Sequence, residues 1–305
     1  MNSNVIDQKR ASLLGLSAVL CWSTVATAFK LSLVYLTPLQ LILVASTAST
    51  LFLILVLCWQ DRVSELWQQP MRVYRLSFFF GFLNPCLYYY LLFSAYDILP
   101  AQEAQAINYS WAIVMTFMAV PLLKQKLHWY DYIAALFCYL GVCVIATRGN
   151  LLSMEFASGL GVSLAVLSTV VWSTYWIFNQ RDQREPLLGL ALNFITALPI
   201  LIALVAWRGE LNFLSGAWQG LLGGAYVGIF EMGLAFVLWL VAMKSAENTA
   251  RLANLIFISP FLSLLFISVF LGETILFSTL IGLVMIVAGL LVQQALAVSS
   301  DEKKH

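Results

Sequence analysis

The sequence predicts an all-α integral membrane protein with ten transmembrane helices arranged as two inverted five-helix repeats. Three observations support this fold class. Apolar residues make up 61% of the 305 residues and charged residues only 10%, whereas a soluble domain carries about 25% charged residues. Apolar segments long enough to cross a bilayer follow one another along the whole chain. Similar short motifs also recur at a separation of about 150 residues.

The predicted spans are apolar segments of about 20 residues, the length that crosses the hydrocarbon core of a bilayer. In chain order they are 12–32, 39–59, 76–96, 102–123, 130–147, 159–178, 187–207, 217–242, 250–271 and 277–297. The connections between them are short and contain no low-complexity tract. We therefore predict one polytopic unit whose surroundings are the lipid bilayer.

Lysines and arginines divide unevenly between alternate connections. Thirteen of the sixteen fall on the side that holds both termini, and the other three are Lys30, Arg148 and Arg208. Positive residues concentrate in cytoplasmic loops. We therefore predict a multi-pass protein of the cell inner membrane with both termini in the cytoplasm, present as a monomer or homodimer.

The first evidence for an internal repeat is a Trp-Ser-Thr motif. It occupies 22–24 in the first span and recurs at 172–174 in the sixth span. The predicted repeats are residues 1–150 and 151–305. Because each contains an odd number of spans, the second repeat crosses the membrane in the opposite direction. Inverted repeats enclose a site near mid-membrane and open it alternately to the two sides.

The two Trp-Ser-Thr motifs lie near the middle of their spans. Tryptophans of the interfacial belts lie at span ends instead. We therefore predict that Trp22, Ser23, Trp172 and Ser173 line a central cavity and bind substrate. The alternative is that the tryptophans pack between helices, while the hydroxyls donate to carbonyls of their own helices.

Glu231 lies near the middle of the eighth span, where a charged side chain costs about 2.5–3.5 kcal/mol on insertion scales. Gly220, Gly224 and Gly228 precede it in four-residue steps, and such a face lets a neighbouring helix approach closely. We expect the carboxyl to point into the helix bundle and predict that it binds a substrate ammonium or exchanges a proton. The alternative is a protonated Glu231 that donates one interhelical hydrogen bond.

The third span aligns with the eighth at an offset of 147, which pairs Gly81 with Gly228 and Asn84 with Glu231. Pro85 cannot donate a backbone hydrogen bond, so we expect it to kink the third span. We predict that Asn84 and Tyr88, which lies one turn further along, bind substrate.

Three further residues are candidate substrate ligands. Asn108 and Trp111 are three residues apart in the fourth span, a spacing that puts them on one helix face. Asn254 lies about two turns before Pro260, which we expect to break the ninth span. The alternative for each asparagine is a hydrogen bond between helices worth about 0.6 kcal/mol.

The last two spans contain four dipeptides, Ser259-Pro260, Gly272-Glu273, Ile281-Gly282 and Ala288-Gly289. This pattern is similar to the repeat ending of EamA-type transporters in the drug/metabolite transporter superfamily, and the resemblance covers nearly the whole chain. The segments "NYSW" at 108–111 and Glu231-Met232 also resemble the aromatic-amino-acid exporter branch. The first half departs from the family pattern at Ala45, Ala112 and Gln125. The resemblance implies a transporter with amino-acid-like cargo.

Other function classes have little support in the sequence. A net charge of +1 lacks the basic face that nucleic-acid binding needs. The two histidines and five cysteines form no catalytic or metal-binding pattern. We predict no enzyme, catalytic residue, metal or cofactor.

The predicted function is secondary transport, in the export direction, of a small organic metabolite such as an amino acid, by alternating access. A lipid-carrier flippase and a passive channel are the alternatives.

Overall fold

The computed structural model describes residues 7–124, 127–150, 158–212, 218–247, 252 and 254–302. Within these ranges the chain is helical and contains no β-strand. Eight helical segments are long and apolar enough to cross a membrane: Gln8–Leu33, Pro38–Trp59, Met71–Ile98, Ala101–Leu123, Trp129–Ala146, Gly159–Asn179, Pro186–Trp207 and Trp218–Ser245. Two shorter apolar segments are Leu255–Leu271 and Phe277–Gln293. The predicted all-α membrane class is confirmed, whereas the count of ten spans stays a prediction because the last two segments are short.

Several spans consist of more than one helix. In chain order the α-helices are α1 (Gln8–Leu33), α2 (Pro38–Trp59), α3 (Met71–Gly81), α4 (Tyr88–Ile98), α5 (Ala101–Asn108), α6 (Trp111–Leu123), α7 (Trp129–Ala146), α8 (Gly159–Asn179), α9 (Pro186–Trp207), α10 (Trp218–Tyr226), α11 (Ala235–Ser245), α12 (Ser259–Phe266) and α13 (Phe277–Glu302). Val227–Leu234 and Ile267–Leu271 are π-helical segments, and the kinked segment Phe82–Leu87 joins α3 to α4. Two 3₁₀ helices are Val63–Leu66 and Asn254–Ile258.

Polar side chains start the long helices at the positions where backbone N–H groups lack partners within the helix. Asp7 accepts from the N–H groups of residues 9 and 10 at the start of α1. Thr37 and Gln40 form a capping box at the start of α2, an arrangement that satisfies two donors reciprocally. Ser158 and Glu185 each accept a backbone N–H at the starts of α8 and α9.

The chain forms two compact units, and each contains segments from both predicted repeats. The first comprises Met1–Phe93 and Gln183–Gly272. In it α1 packs against α10, α11 and α12, α2 packs against α9 and Val227–Leu234, and α3 packs against α9. The second comprises Ser94–Asp182 and Glu273–His305. In it α13 packs along α7, and α8 packs against α5 and α6.

Small residues allow the close packing of α7 and α13 in the second unit. A Cβ atom added to Gly141 would lie 2.6 Å from the carbonyl oxygen of Gly282, and one added to Gly282 would lie 2.5 Å from the carbonyl oxygen of Gly141. The two backbones therefore touch directly, as small residues permit between membrane helices.

The start of α5, also in the second unit, is capped by a distant residue. Pro100 precedes the helix and provides no side-chain cap. The Glu273 carboxylate instead accepts from the N–H of Ala101 at 2.8 Å and from that of Gln102 at 3.3 Å. The Gln102 side chain donates to the Thr274 carbonyl and accepts from Thr279. This clasp (Ala101, Gln102, Glu273, Thr274 and Thr279) joins α5 to the segment that leads into α13.

The third, fourth and ninth spans show where helices bend, end or begin. The backbone of Asn84 is non-helical, with φ −145° and ψ 113°, so the predicted kink before Pro85 is confirmed. In the fourth span α5 ends at Asn108 and α6 begins at Trp111, so these two residues lie on either side of a junction. Pro260 does not break the ninth span, because it stands in the first turn of α12, where its missing N–H has no intrahelical partner.

Candidate functional site

Glu231 lies in the π-helical segment Val227–Leu234, and Asn84 lies at the kink of the segment Phe82–Leu87. Both segments belong to the first unit. A π-helical turn contains one residue more than an α-helical turn and occurs often at functional sites. The two positions that the sequence pairs at an offset of 147 therefore both lie where a regular α-helix is interrupted, Glu231 in a π-helical turn and Asn84 at a kink.

The Glu231 carboxylate has one hydrogen-bond donor that the structure describes. Tyr89 Oη donates to Glu231 Oε1 at 3.1 Å. Glu231 Oε2 is shielded from solvent and has no hydrogen-bond partner within the described ranges. No Lys or Arg described in the structure forms an ion pair with Glu231. The Tyr89 hydroxyl thus positions Oε1, whereas Oε2 could accept a proton or a hydrogen bond from a substrate group.

The glycine face that precedes Glu231 packs closely on its neighbours, as predicted. Gly220 lies against Leu36, and Gly224 lies against Val44 of α2. A Cβ atom at Gly228 would overlap the carbonyl oxygen of Ala45. Since α2 contains no Asp, Glu, Lys, Arg or His, the helix packed on this face brings no charge to Glu231.

Helix α1 contacts the eighth span on both sides of Glu231. The Trp22 ring lies 5.9 Å from Phe236 with the rings near perpendicular, and 5.4 Å from Trp239. Thr24 Oγ1 and Tyr226 Oη form a hydrogen bond of 2.7 Å. These contacts run from residue 226 to residue 239 and place Glu231 within an interface rich in aromatic rings. We call Trp22, Tyr89, Glu231, Phe236 and Trp239 the Glu231 cluster.

Ser23 faces away from this interface. Its hydroxyl donates to the Val19 carbonyl at 2.6 Å and lies 3.2 Å from Ser259 Oγ. Ser173, its counterpart in the second unit, lies 2.7 Å from the Thr169 carbonyl and 2.9 Å from the Trp111 carbonyl. Both serines thus make the own-helix hydrogen bond that the sequence offered as the alternative. Their predicted role in substrate binding stays a prediction.

Asn84 and Tyr88 are both buried. Asn84 Oδ1 has no hydrogen-bond partner within the described part of the chain. The Tyr88 ring packs on the ring of Tyr89 at 4.7 Å. Asn254, the sixth predicted site residue of this unit, lies in the 3₁₀ helix Asn254–Ile258.

The remaining predicted ligands lie together in the second unit. Asn108 Nδ2 donates to Ser168 of α8 at 3.0 Å. The Trp172 ring stacks on Tyr175 at 5.5 Å and meets Trp176 edge-on at 5.8 Å. Trp111 begins α6 after the interruption in the fourth span. The Asn108 amide thus joins α5 to α8, whereas the ring contacts of Trp172 lie within α8.

Tyr89 is the neighbour of Glu231 that the sequence pattern did not select. Residues 88–90 are three consecutive tyrosines, and α-helical spacing from Asn84 selects Tyr88. The kink at Asn84 interrupts that spacing, and Tyr89 is the tyrosine that donates to Glu231. The tyrosine run and the proline before it were the available signal.

The described residues include no group of three His, Cys, Asp or Glu side chains placed to hold a metal ion. A helical membrane protein with a carboxylate deep inside one span has the architecture of a polytopic transporter. The model of the EamA-like transporter family matches the chain twice, at residues 9–147 and 159–293. The protein belongs to this family, and the resemblance predicted from its motifs is confirmed.

Individual relatives agree with this assignment. An uncharacterized transporter of Bacillus subtilis (strain 168), YvbV, is 23% identical over 98% of both chains. The aromatic amino acid exporter YddG of Ancylobacter novellus is 26% identical and aligns over 87% of this chain and 90% of its own. The exporter YddG of Salmonella typhimurium is 24% identical over 93% and 96%. A solved crystal structure, 24% identical, shares the fold with a TM-score of 0.63 and covers 96% of this chain and 99% of its own.

Proposed function

We propose that the protein is a secondary transporter that exports a small organic metabolite, an amino acid or related amphipathic compound, by alternating access. Membership in the EamA-like transporter family supports transport as the general activity. The observation that carries the proposal further is the Tyr89–Glu231 hydrogen bond inside an apolar span. Intramembrane carboxylates are costly and mark substrate or proton pathways.

The Glu231 cluster supplies two kinds of contact to such a substrate. Its carboxylate is the candidate partner for an ammonium or a coupling proton. The rings of Trp22, Phe236 and Trp239 supply flat apolar area, and aromatic faces also attract cations. Two relatives carry the name aromatic amino acid exporter, and this name agrees with a site that combines one charge with several rings.

The structural organisation in this proposal is the one predicted from the sequence. The halves 1–150 and 151–305 act as inverted repeats, both termini lie in the cytoplasm, and the protein resides in the inner membrane. Single cysteines at Asn150 and Asn212, on a cysteine-free background, test this topology. Both should react with an impermeant thiol reagent added from outside. Labelling from the cytoplasmic side alone would contradict the proposed orientation.

The activity is tested by counterflow in proteoliposomes. Vesicles loaded with unlabelled aromatic amino acids are diluted into trace radiolabelled substrate, and the label should accumulate transiently and saturably. Protein-free vesicles and vesicles with the Glu231→Gln variant serve as controls. Flux without saturation or counterflow indicates a channel. Activity restricted to a lipid-linked compound indicates a flippase, and either outcome rejects the proposal.

A further inference from the structure

Two exposed arginines, Arg72 and Arg75, lie one turn apart at the start of α3. They differ from Arg62 in the preceding connection, whose Nε lies 2.8 Å from Glu65. Within the described residues no carboxylate oxygen comes within ion-pair distance of Arg72 or Arg75. Two guanidinium groups therefore present positive charge that the described protein residues do not neutralise.

An apolar surface continues from these arginines along the same helix. Arg72, Arg75, Phe79 and Phe82 follow one another in steps of three and four residues, the spacing of a single helix face. Phe79 is 42% exposed and Phe82 is 46% exposed. The seven residues from Arg75 to Phe82 rise about 10 Å, whereas half the hydrocarbon core of a bilayer is about 15 Å thick. This α3 face (Arg72, Arg75, Phe79 and Phe82, which directly follows α3) thus has a charged end and an apolar part that reaches well into one leaflet.

Trp67 indicates the level of the membrane surface. Its side chain is exposed in a segment tied to α3 by a 2.8 Å hydrogen bond from Tyr74 Oη to the Leu66 carbonyl. Exposed tryptophans favour the headgroup level of a bilayer. Because Trp67 lies just before α3, we infer that the two arginines lie at the headgroup level. The two phenylalanines then lie deeper, in the hydrocarbon core.

The corresponding end of the eighth span shows that the arginines are not a requirement of the fold. An offset of 147 leads from Arg72 and Arg75 to Gln219 and Leu222. Leu222 and Trp218 are exposed there, so α10 also presents an apolar face to its surroundings. It does so without positive charge.

We propose that the α3 face binds an anionic phospholipid. Arg72 and Arg75 donate to the phosphate, and Phe79 and Phe82 contact an acyl chain. Guanidinium groups form charge-assisted, often bidentate hydrogen bonds with phosphate, and each basic residue near an anionic bilayer surface strengthens binding roughly fivefold. The site is separate from the Glu231 cluster and does not depend on the transported compound.

Native mass spectrometry of the detergent-solubilised protein tests the proposal by titration with phosphatidylglycerol and with phosphatidylcholine of identical chains. The wild type should retain phosphatidylglycerol at least about tenfold better. The Arg72→Gln/Arg75→Gln variant should lose that preference, whereas Arg72→Lys/Arg75→Lys should keep part of it. The matched control Lys9→Gln/Lys244→Gln removes the same charge from two other exposed lysines and should behave as wild type.

Two further arms identify what is bound. Phe79→Ala/Phe82→Ala should weaken retention of both lipids, because it removes the surface that contacts the acyl chain. Soluble glycerol 3-phosphate should not displace phosphatidylglycerol. The proposal is overturned if the arginine variant retains its preference, if the control loses it equally, or if the soluble phosphate competes. Size-exclusion chromatography establishes that each variant is folded.

Discussion

The segments Phe82–Leu87 and Val227–Leu234 of the first unit interrupt their helices in different ways. Phe82–Leu87 has a kink at Asn84, whose backbone is non-helical, and the following Pro85 removes a backbone donor. Val227–Leu234 is a π-helical segment that has no proline and contains closely packed glycines. The first segment presents the neutral amide of Asn84, and the second presents the carboxyl group of Glu231. An interruption of the α-helix is thus common to both spans, whereas the ionisable group is particular to one.

Glu231 and Asn84 also differ in the hydrogen bonds that they receive. Glu231 receives a hydrogen bond from a tyrosine that belongs to the other span. Asn84 Oδ1 receives none from the part of the chain that the structure describes. The third span therefore contributes a kink and the hydroxyl group of Tyr89. The eighth span contributes the carboxyl group to which that hydroxyl donates.

The largest effect is expected from the glycine that each span packs against its neighbour. Gly228→Ala would place a Cβ on the Ala45 carbonyl oxygen, and Gly81→Ala would place one on the Asn193 carbonyl oxygen. Overpacking typically costs about 1–3 kcal/mol of folding free energy. A backbone carbonyl can move away from an added Cβ less easily than a flexible side chain can. Both variants should give little monodisperse protein in size-exclusion chromatography. Gly159→Ala, which meets nothing within 4 Å, should express normally. Normal yield from Gly228→Ala would contradict the packing.

The next largest effect separates the two polar residues. Glu231→Gln keeps size and hydrogen bonding but cannot titrate, so transport should fall by about tenfold or more, equivalent to about 1.4 kcal/mol. Asn84→Leu should reduce transport by only about threefold, since a neutral amide contributes less than a charge. Initial rates of counterflow from about pH 5.5 to about pH 8 give the comparison, and the Gln variant should lose the pH dependence of the wild type. Equal losses in both variants would remove the distinction between the two segments.

A smaller effect tests Tyr89, the tyrosine that donates to Glu231. Tyr89→Phe removes only the hydroxyl that donates to Glu231, and the net contribution of a typical intramolecular hydrogen bond is about 0.5–1.5 kcal/mol. Transport should fall about threefold to tenfold and its pH profile should move, with folded yield unchanged. Tyr88→Phe removes the neighbouring hydroxyl and is the matched control. A larger loss from Tyr88→Phe would show that α-helical spacing predicts the register better than the structure does.

The smallest effect lies outside the spans. Two hydrogen bonds of 2.8 Å from Arg62 hold the pKa of Glu65 below its ordinary value of 4.5. A lowered folded-state pKa stabilises the protein above the unfolded-state value, and this contribution is lost as pH falls through the folded-state value. Glu65→Gln should therefore be slightly less thermostable than wild type at pH 7. The difference should shrink as pH falls below the ordinary value and vanish below the folded-state pKa, whereas a constant difference in melting curves would indicate a role other than ionic pairing.

The sequence predicted those features that depend on composition and on single residues with strong backbone effects. Hydropathy located the spans, Pro85 located a kink, and the glycines before Glu231 indicated a close helix contact. Residues whose neighbours depend on register were harder to predict. Tyr89 donates to Glu231 from beyond the kink at Asn84, and α-helical spacing does not hold across a kink.

Two other differences have similar causes. Pro260 was expected to end a helix, but the same ring begins one when the preceding turn is 3₁₀, because the missing N–H then lies in the first turn. The interruption between Asn108 and Trp111 occurs where Ser173 of a distant segment approaches the Trp111 carbonyl. Such tertiary hydrogen bonds are not encoded in the local pattern of apolar residues.

The clasp at the start of α5 has a consequence for biosynthesis. The N–H groups of Ala101 and Gln102 depend on a carboxylate that follows about 170 residues later in the chain. While the ribosome is still making the intervening spans, the start of α5 lacks this cap, and unsatisfied backbone groups inside the bilayer are costly. We expect the start of α5 to stay at the membrane surface, in contact with water, until residue 273 has been added. Chains that terminate before that residue should leave α5 open to proteases.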